Sequence, residues 1–104
     1  MANMLERLEQ TLKERRSAAP SESYVASLYA KGSRKIAQKV GEEAVETAMA
    51  VASGDKDELV KESADLLFHL LVLLEAEGIA LDDVVQELAR REGISGHDEK
   101  ASRP

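Results

Sequence analysis

The sequence predicts an all-α protein of four or five helices, and three observations lead to this prediction. The 104 residues are enough for one domain with a modest hydrophobic core. Hydrophobic residues make up 43% of the chain but aromatic residues only 3%, so aliphatic side chains must form that core. Many Glu and Lys residues with only two prolines favour helices over strands. Apolar residues recur at helical spacing along the chain, and no segment has a convincing strand pattern.

The first two helices are separated by a short connector. Asn3 is a candidate N-cap for a first helix in which leucines recur every three or four residues. This helix should end before the small residues and the proline of segment 17–20. Ser21 or Ser23 is expected to begin a short second helix, and Gly32 is placed to end it.

Two long helices and a short one complete the predicted fold. Ser33 is expected to cap a third helix that ends near residue 53, before a glycine. Asp55, with a glutamate three residues later, resembles a capping box and begins a fourth helix that ends near residue 77. A fifth helix is expected over 81–91. We assign residues 1–93 to a single all-α domain and residues 94–104 to a polar, flexible C-terminal tail.

The two long helices carry more apolar surface than one short chain can cover. Apolar residues surround almost the whole circumference of the fourth helix, so it should be buried on all sides. In the third helix, Ile36 and Val40 share one face, while Val45 and Met49 point roughly the other way. We therefore predict a symmetric homodimer in which two chains form an intertwined helical bundle. The alternative is a compact monomeric bundle in which small alanine residues make the third helix look apolar on two sides.

Composition also narrows the partners of the protein. Without cysteine, the chain can form neither disulfides nor a thiolate metal site. A net charge of −6 argues against general nucleic-acid binding, which needs a basic surface. The longest apolar run, 66–74, is interrupted by His69 and is too short to cross a bilayer. The chain opens on an amphipathic segment rather than a leader, so we expect a cytoplasmic protein with no nucleic-acid or membrane partner.

Two groups of carboxylates lie within the two long helices. The first contains Glu42, Glu43 and Glu46, and the second contains Glu62 and Asp65. Helical residues three or four apart are neighbours, so each group contains a pair of converging carboxylates. Like charges at this spacing destabilise a helix, which indicates a bound cation, and oxygen ligands suit Mg²⁺. The predicted ligands of a magnesium ion are Glu43, Glu46, Glu62 and Asp65.

Other acidic and imidazole side chains have several interpretations. Glu42 lies about 100° from Glu43 on the helix, so it supports the ligands, contacts a second cation or is simply solvated. His69 is interpreted as a buried, hydrogen-bonded residue rather than a ligand, because the Glu-x-x-His pairs of diiron bundles are absent. His97 falls in the polar tail. The alternative for both carboxylate groups is a solvated helix face with incidental like-charge pairs.

A cationic group surrounds the turn at Gly32, and its members are Lys31, Arg34, Lys35 and Lys39. The N-terminus of a helix favours anions through its free N–H groups and its dipole. We therefore predict a phosphate-binding site about two turns from the carboxylates of the third helix. The alternative is an ordinary basic helix end within a surface of mixed charge. Tyr24 and Tyr29 are each expected to pack on the apolar side of their helix rather than to stack on a base.

These motifs resemble those of a known family. Glu42-Glu43-x-x-Glu46 followed by Glu62-x-x-Asp65 resembles the signature of the all-α nucleoside-triphosphate pyrophosphatases. The segments 23–24, 31–32, 39–43 and 62–71 narrow the resemblance to the phosphoribosyl-ATP pyrophosphatases, enzymes of histidine biosynthesis. The resemblance covers about residues 5–93. No cyclohydrolase domain is attached, so the stand-alone form is expected.

The resemblance implies a reaction in which phosphoribosyl-ATP and water give phosphoribosyl-AMP and pyrophosphate. It implies that Mg²⁺ is the cofactor and that five carboxylates are catalytic: Glu42, Glu43, Glu46, Glu62 and Asp65. It also implies that the basic group holds the substrate phosphates: Lys31, Arg34, Lys35 and Lys39. Two other functions compete with this one. The first is a house-cleaning hydrolase of free, non-standard nucleoside triphosphates, and the second is a non-catalytic helical dimerisation module.

Overall fold

Five helices account for most of residues 3–94, the part of the chain that the computed structural model describes. They are α1 (Met4–Arg15), α2 (Tyr24–Lys31), α3 (Ser33–Ser53), α4 (Lys56–Ala76) and α5 (Leu81–Arg91). No strand occurs within residues 3–94, so the all-α prediction is confirmed. None of the described helices combines the length and the apolar character that crossing a membrane requires. Apart from Ile94, the predicted tail and its His97 lie outside the described residues.

Side-chain caps begin three helices as predicted. Asn3, Ser23 and Asp55 each accept, through a side-chain oxygen, a hydrogen bond from the backbone N–H three residues later. Such a cap satisfies one of the free N–H groups of the first helical turn and contributes about 1 kcal/mol. Of the two serines considered for α2, the cap is Ser23.

Ser33 does not cap α3, contrary to the prediction. Gly32, at φ 89°, ends α2 and also occupies the N-cap position of α3, so Ser33 is already the first helical residue. A capping side chain must belong to the residue before the helix, and glycine has none. Glycine is nevertheless favoured there because a positive φ strains residues that carry a Cβ. The one-residue connection therefore leaves α3 without a side-chain cap.

The core lies where the first four helices meet. Its most buried members come from all four: Leu12, Leu28, Ile36, Leu71 and Val72. The most extensive packing is between α3 and α4, which are joined by Gly54 in the left-handed region and the capping Asp55. In contrast, α5 contributes no fully buried residue. The α3–α4 pair is therefore the rigid part of the fold on which the carboxylate groups lie.

Both long helices carry apolar side chains that are exposed in the single chain. Val45 and Met49 of α3 are 59% and 64% exposed, and Val60 and Leu67 of α4 are 69% and 49% exposed. Within one chain, α4 is therefore covered on one side and bare on the other, which differs from the expectation of burial all round. A second copy of the chain is the predicted cover for these side chains, and the homodimer stays a prediction.

Candidate active site

Three carboxylates converge where α3 and α4 pack together: Glu43, Glu62 and Asp65. One oxygen of each lies within 4.8 Å of the corresponding oxygens of the other two. Glu43 is buried, Glu62 is half-buried and Asp65 is exposed. The predicted stripes of the two helices therefore do face each other, and the group opens to solvent on the Asp65 side.

Glu46 lies at the edge of this carboxylate group. Its residue is exposed, yet its carboxyl is close enough to Glu43 and Glu62 to influence the pKa of both. Because Glu46 is about one helical turn after Glu43, it lies near the group and is still exposed to solvent. Three of the four predicted ligands thus form a tight group, and the fourth borders it.

Burial and crowding give the two glutamates of the group different acidities. Burial is the largest cause that raises the pKa of Glu62 to about 7, and hydrogen bonds that its protonated form shares with Glu46 and Glu58 add to this. Burial also opposes the ionisation of Glu43. The Lys39 ammonium, 3.1 Å from Glu43 Oε1, outweighs that effect and lowers the pKa of Glu43 below its usual value. Near neutral pH the group therefore holds an ionised Glu43 beside a Glu62 that is about half protonated.

Two oxygens of the carboxylate group have no hydrogen-bond partner among the described residues. Oε2 of Glu43 and Oε2 of Glu62 are buried without a hydrogen-bond partner within the described part of the chain. Buried polar atoms are nearly always paired, and an unpaired one carries a desolvation cost. A cation placed between them would remove that cost. Because every available ligand is a carboxylate oxygen, the residues fit a hard ion such as Mg²⁺.

Thr47 joins the two segments that carry these carboxylates. Its Oγ1 lies 2.8 Å from the carbonyl oxygen of Glu43 and 3.2 Å from that of Glu62, so its one hydroxyl proton is shared between α3 and α4. The sequence prediction missed this residue. Its position four residues after Glu43, on the same helical face, was the available signal.

His69 is buried and hydrogen-bonded, as predicted. Its Nδ1 lies 2.7 Å from the backbone carbonyl oxygen of Asp65, and its Nε2 lies 2.9 Å from Tyr24 Oη. A carbonyl oxygen only accepts, so the network assigns the proton to Nδ1, and the neutral Nε2 accepts from the tyrosine hydroxyl. His69 therefore links Tyr24 of α2 to the turn of α4 that carries Asp65.

A groove of about 290 Å³ lies beside the carboxylate group, and three of the four predicted cations line it: Lys31, Lys35 and Lys39. Arg34 does not reach this groove. It lines a separate apolar groove with Leu73 and Leu74, because one residue along a helix turns the side chain by about 100°. The structure therefore brings three lysines together and places Arg34 elsewhere.

Glu42 also lines the lysine groove, away from the inner carboxylates. It accepts a hydrogen bond from Gln38 Nε2 at 3.2 Å and lies 4.0 Å from Lys39 Nζ. Lys39 stands between the two regions, since the same ammonium binds Glu43. The hydrogen bond to Glu43 is the largest cause that raises the pKa of Lys39. Lys39 therefore remains charged where the groove meets the carboxylate group.

The chain is similar in sequence to a set of known enzymes. The family described as phosphoribosyl-ATP pyrophosphohydrolase matches residues 5–92. The phosphoribosyl-ATP pyrophosphatase of Erythrobacter litoralis is 61% identical over 97% of each chain. That of Rhizorhabdus wittichii is 58% identical over all of this chain and 98% of its own. The histidine biosynthesis bifunctional protein HisIE of Vibrio cholerae is 60% identical over 84% of this chain, a match that spans 41% of the bifunctional protein.

Proposed function

The chain belongs to the phosphoribosyl-ATP pyrophosphohydrolase family, and from this we propose how it hydrolyses phosphoribosyl-ATP to phosphoribosyl-AMP and pyrophosphate in histidine biosynthesis. The observation that carries the mechanism is the position of two unpaired buried carboxylate oxygens next to a groove lined by lysines. These two features match what binding of a triphosphate requires. Its charge must be neutralised by cations, and its oxygens must be held by donors.

We propose that Glu43, Glu62 and Asp65 hold Mg²⁺, with Glu46 at the edge of the site. An ion held there would supply positive charge against the phosphates and would make the attacking water more acidic. Two features of the chain support such a site: Lys39 favours the ionised form of Glu43, and the Thr47 hydroxyl links α3 to α4. Glu62, whose pKa is about 7, would have to be deprotonated to act as a ligand.

The lysine groove is proposed to bind the substrate phosphates. Lys39 lies nearest the carboxylates and would contact the phosphates that undergo cleavage, while Lys31 and Lys35 line the rest of the groove. Arg34 is left out of this set because it lines another groove. Hydrolysis also requires a group that accepts a proton from the attacking water. The proposed acceptors are two exposed carboxylates, Glu46 beside Glu62 and Glu42 beside Lys39.

A comparison of substrates tests the assignment against its competitors. We expect Mg²⁺-dependent release of pyrophosphate from phosphoribosyl-ATP, at a higher kcat/KM than from free nucleoside triphosphates. The reverse ranking would instead support the house-cleaning hydrolase. If no nucleotide releases pyrophosphate at any Mg²⁺ concentration, the non-catalytic dimerisation module is the better interpretation.

Lys39→Ala is expected to lower kcat/KM for phosphoribosyl-ATP by about 10- to 100-fold, because it removes a charged hydrogen bond to phosphate. The melting temperature should change less, since the Lys39 side chain is partly exposed and Glu43 can take up a proton when its ammonium partner is lost. Lys56→Ala is the matched control, because Lys56 is an exposed lysine at the start of α4 that does not line the groove. Equal kinetics for the two variants would remove Lys39 from the phosphate site.

A further inference from the structure

Tyr24 is half exposed although its ring and its hydroxyl are both held in place. The residue is 54% exposed. It stacks on Phe68 with ring centroids 6.4 Å apart and planes inclined by 18°, and it meets the edge of His69 at 6.0 Å. The hydroxyl donates to His69 Nε2. The ring is therefore fixed from one side, and its other side is left for the lysine groove that it lines.

Tyr29, on the same helix, shows what ordinary packing would look like. It packs against the core, its hydroxyl donates to the carbonyl oxygen of Leu12 at 3.3 Å, and the Arg16 guanidinium lies 5.2 Å from its ring centroid. Burial is the largest cause that raises the pKa of Tyr29 to about 12. The packing prediction is therefore confirmed for Tyr29. For Tyr24, packing explains the buried side of the ring and leaves the exposed side without a role.

The groove around Tyr24 offers the two kinds of contact that a nucleotide needs. Lys31, Lys35 and Lys39 supply positive charge for phosphates, and the tyrosine supplies a flat aromatic surface for a base. The volume of about 290 Å³ is close to the lower end of the range for small-molecule sites, about 300–1,000 Å³. Inorganic phosphate has no flat surface to stack on an aromatic ring, so Tyr24 would contribute little to a site for phosphate alone.

We propose that Tyr24 is the platform on which the adenine base of the substrate stacks, and that His69 is the residue that positions the ring. This inference rests on the proposed function of the same groove. Lys39 directs the phosphates toward the carboxylates, so the base occupies the Tyr24 part of the groove. His69 holds the tyrosine hydroxyl from the turn that carries Asp65, so the platform and the carboxylate site keep a fixed separation.

The test uses two ligands that differ in the nucleoside: α,β-methylene-ATP, which cannot release pyrophosphate, and inorganic tripolyphosphate. Binding of each is measured calorimetrically, with Mg²⁺ present, to the wild-type protein, to Tyr24→Leu and to Tyr24→Phe. Tyr24→Leu should weaken α,β-methylene-ATP by about 5- to 150-fold, the usual range for loss of one stacking contact. Tripolyphosphate binding should be nearly unchanged. Tyr24→Phe keeps the ring but loses the bond to His69, so its loss should be smaller and still selective for the nucleotide.

Turnover gives an independent measurement. Because stacking acts equally on the substrate and on the transition state, Tyr24→Leu should raise KM for phosphoribosyl-ATP much more than it lowers kcat. Where leucine lowers the melting temperature through its contact with Phe68, Tyr24→Met is the second variant, and the same selective loss is expected.

Two results would overturn the proposal: an equal loss for both ligands, or no loss for either. The outcome is separable from that of the proposed function. A loss selective for the nucleotide, found in a protein that does not hydrolyse phosphoribosyl-ATP, would refute the reaction and keep the platform. Hydrolysis of phosphoribosyl-ATP with equal losses would refute the platform alone.

Discussion

Asp65→Asn should lower kcat/KM for phosphoribosyl-ATP by about a hundredfold or more while leaving the fold intact. A metal ion supplies several kcal/mol of charge stabilisation, and each 1.4 kcal/mol is about a factor of ten. Asp65 is well suited to this test because its residue is exposed. Its backbone carbonyl, rather than its carboxylate, accepts the hydrogen bond from His69, so the amide side chain leaves that contact in place. The measurement is initial rate against Mg²⁺ concentration, with circular dichroism of the metal-free protein.

Glu46→Gln extends the same prediction to the edge of the group. Activity should again fall, because a carboxylate beside Glu62 is lost. The melting temperature of the metal-free protein should stay the same or rise, because like-charge repulsion is relieved.

The raised pKa of Glu62 sets the direction in which stability should change with pH. Between pH values of about 4.5 and 7, Glu62 binds more protons in the folded protein than in the unfolded chain, so its contribution to stability falls as pH rises through that window. Removing the charge of Glu46 should reduce this fall.

Glu14→Gln is the control for both variants, since Glu14 is an exposed carboxylate on α1, outside the group. It should leave turnover and its Mg²⁺ dependence unchanged. Near-normal turnover of Asp65→Asn and Glu46→Gln at saturating Mg²⁺ would show that these carboxylates do not form the metal site.

The helices could be predicted because their signals are local. Asn3, Ser23 and Asp55 cap the helices that follow them, and each signal involves residues only three apart in sequence. The predicted N-cap of α3 was wrong for a related reason. Whether Ser33 or Gly32 occupies the N-cap depends on the φ angle at Gly32, and glycine permits several turns that the sequence alone does not distinguish.

The site could be predicted only in part. Helical spacing places Glu43 and Glu46 on one side of α3, and it places Glu62 and Asp65 on one side of α4. Contacts between distant elements do not follow from periodicity. The hydrogen bond from Tyr24 to His69 joins residues 45 apart in sequence and depends on how α2 packs against α4. The position of Arg34 outside the groove likewise depends on the rotation of α3 about its axis, which a helical wheel leaves open.

The protein should behave as a homodimer at micromolar concentration, because a second chain would cover the exposed apolar side chains of α3 and α4. Fully burying a side chain such as Val, Leu or Met is worth about 1.5–3 kcal/mol relative to leaving it exposed. Four such side chains on the two long helices are about half exposed or more: Val45, Met49, Val60 and Leu67. A second copy of the chain carries the same exposed side chains, so a symmetric pairing would cover those of both copies at once. Sedimentation should give twice the chain mass, and the melting temperature should rise with protein concentration.

A charge introduced among the exposed apolar residues of α3 should disrupt the dimer. Met49→Glu, at a residue 64% exposed in the single chain, would place a carboxylate in an apolar interface, so the dimer should dissociate or unfold. Val45→Glu should act in the same way. Gln10→Glu adds the same charge at an exposed polar position on α1, and it should leave the mass and the melting temperature unchanged.

Activity of the Met49→Glu variant then tells how the site is built. Met49 lies about 9 Å from Glu43 along the axis of α3, and its side chain is turned about 120° away from that of Glu43. A folded, inactive monomer would therefore mean that the partner chain completes the site, whereas an active monomer would mean that each chain carries a complete one. If the wild-type protein itself sediments at the mass of one chain at these concentrations, the shared core is refuted. The exposed residues of α3 and α4 would then have to be covered in another way.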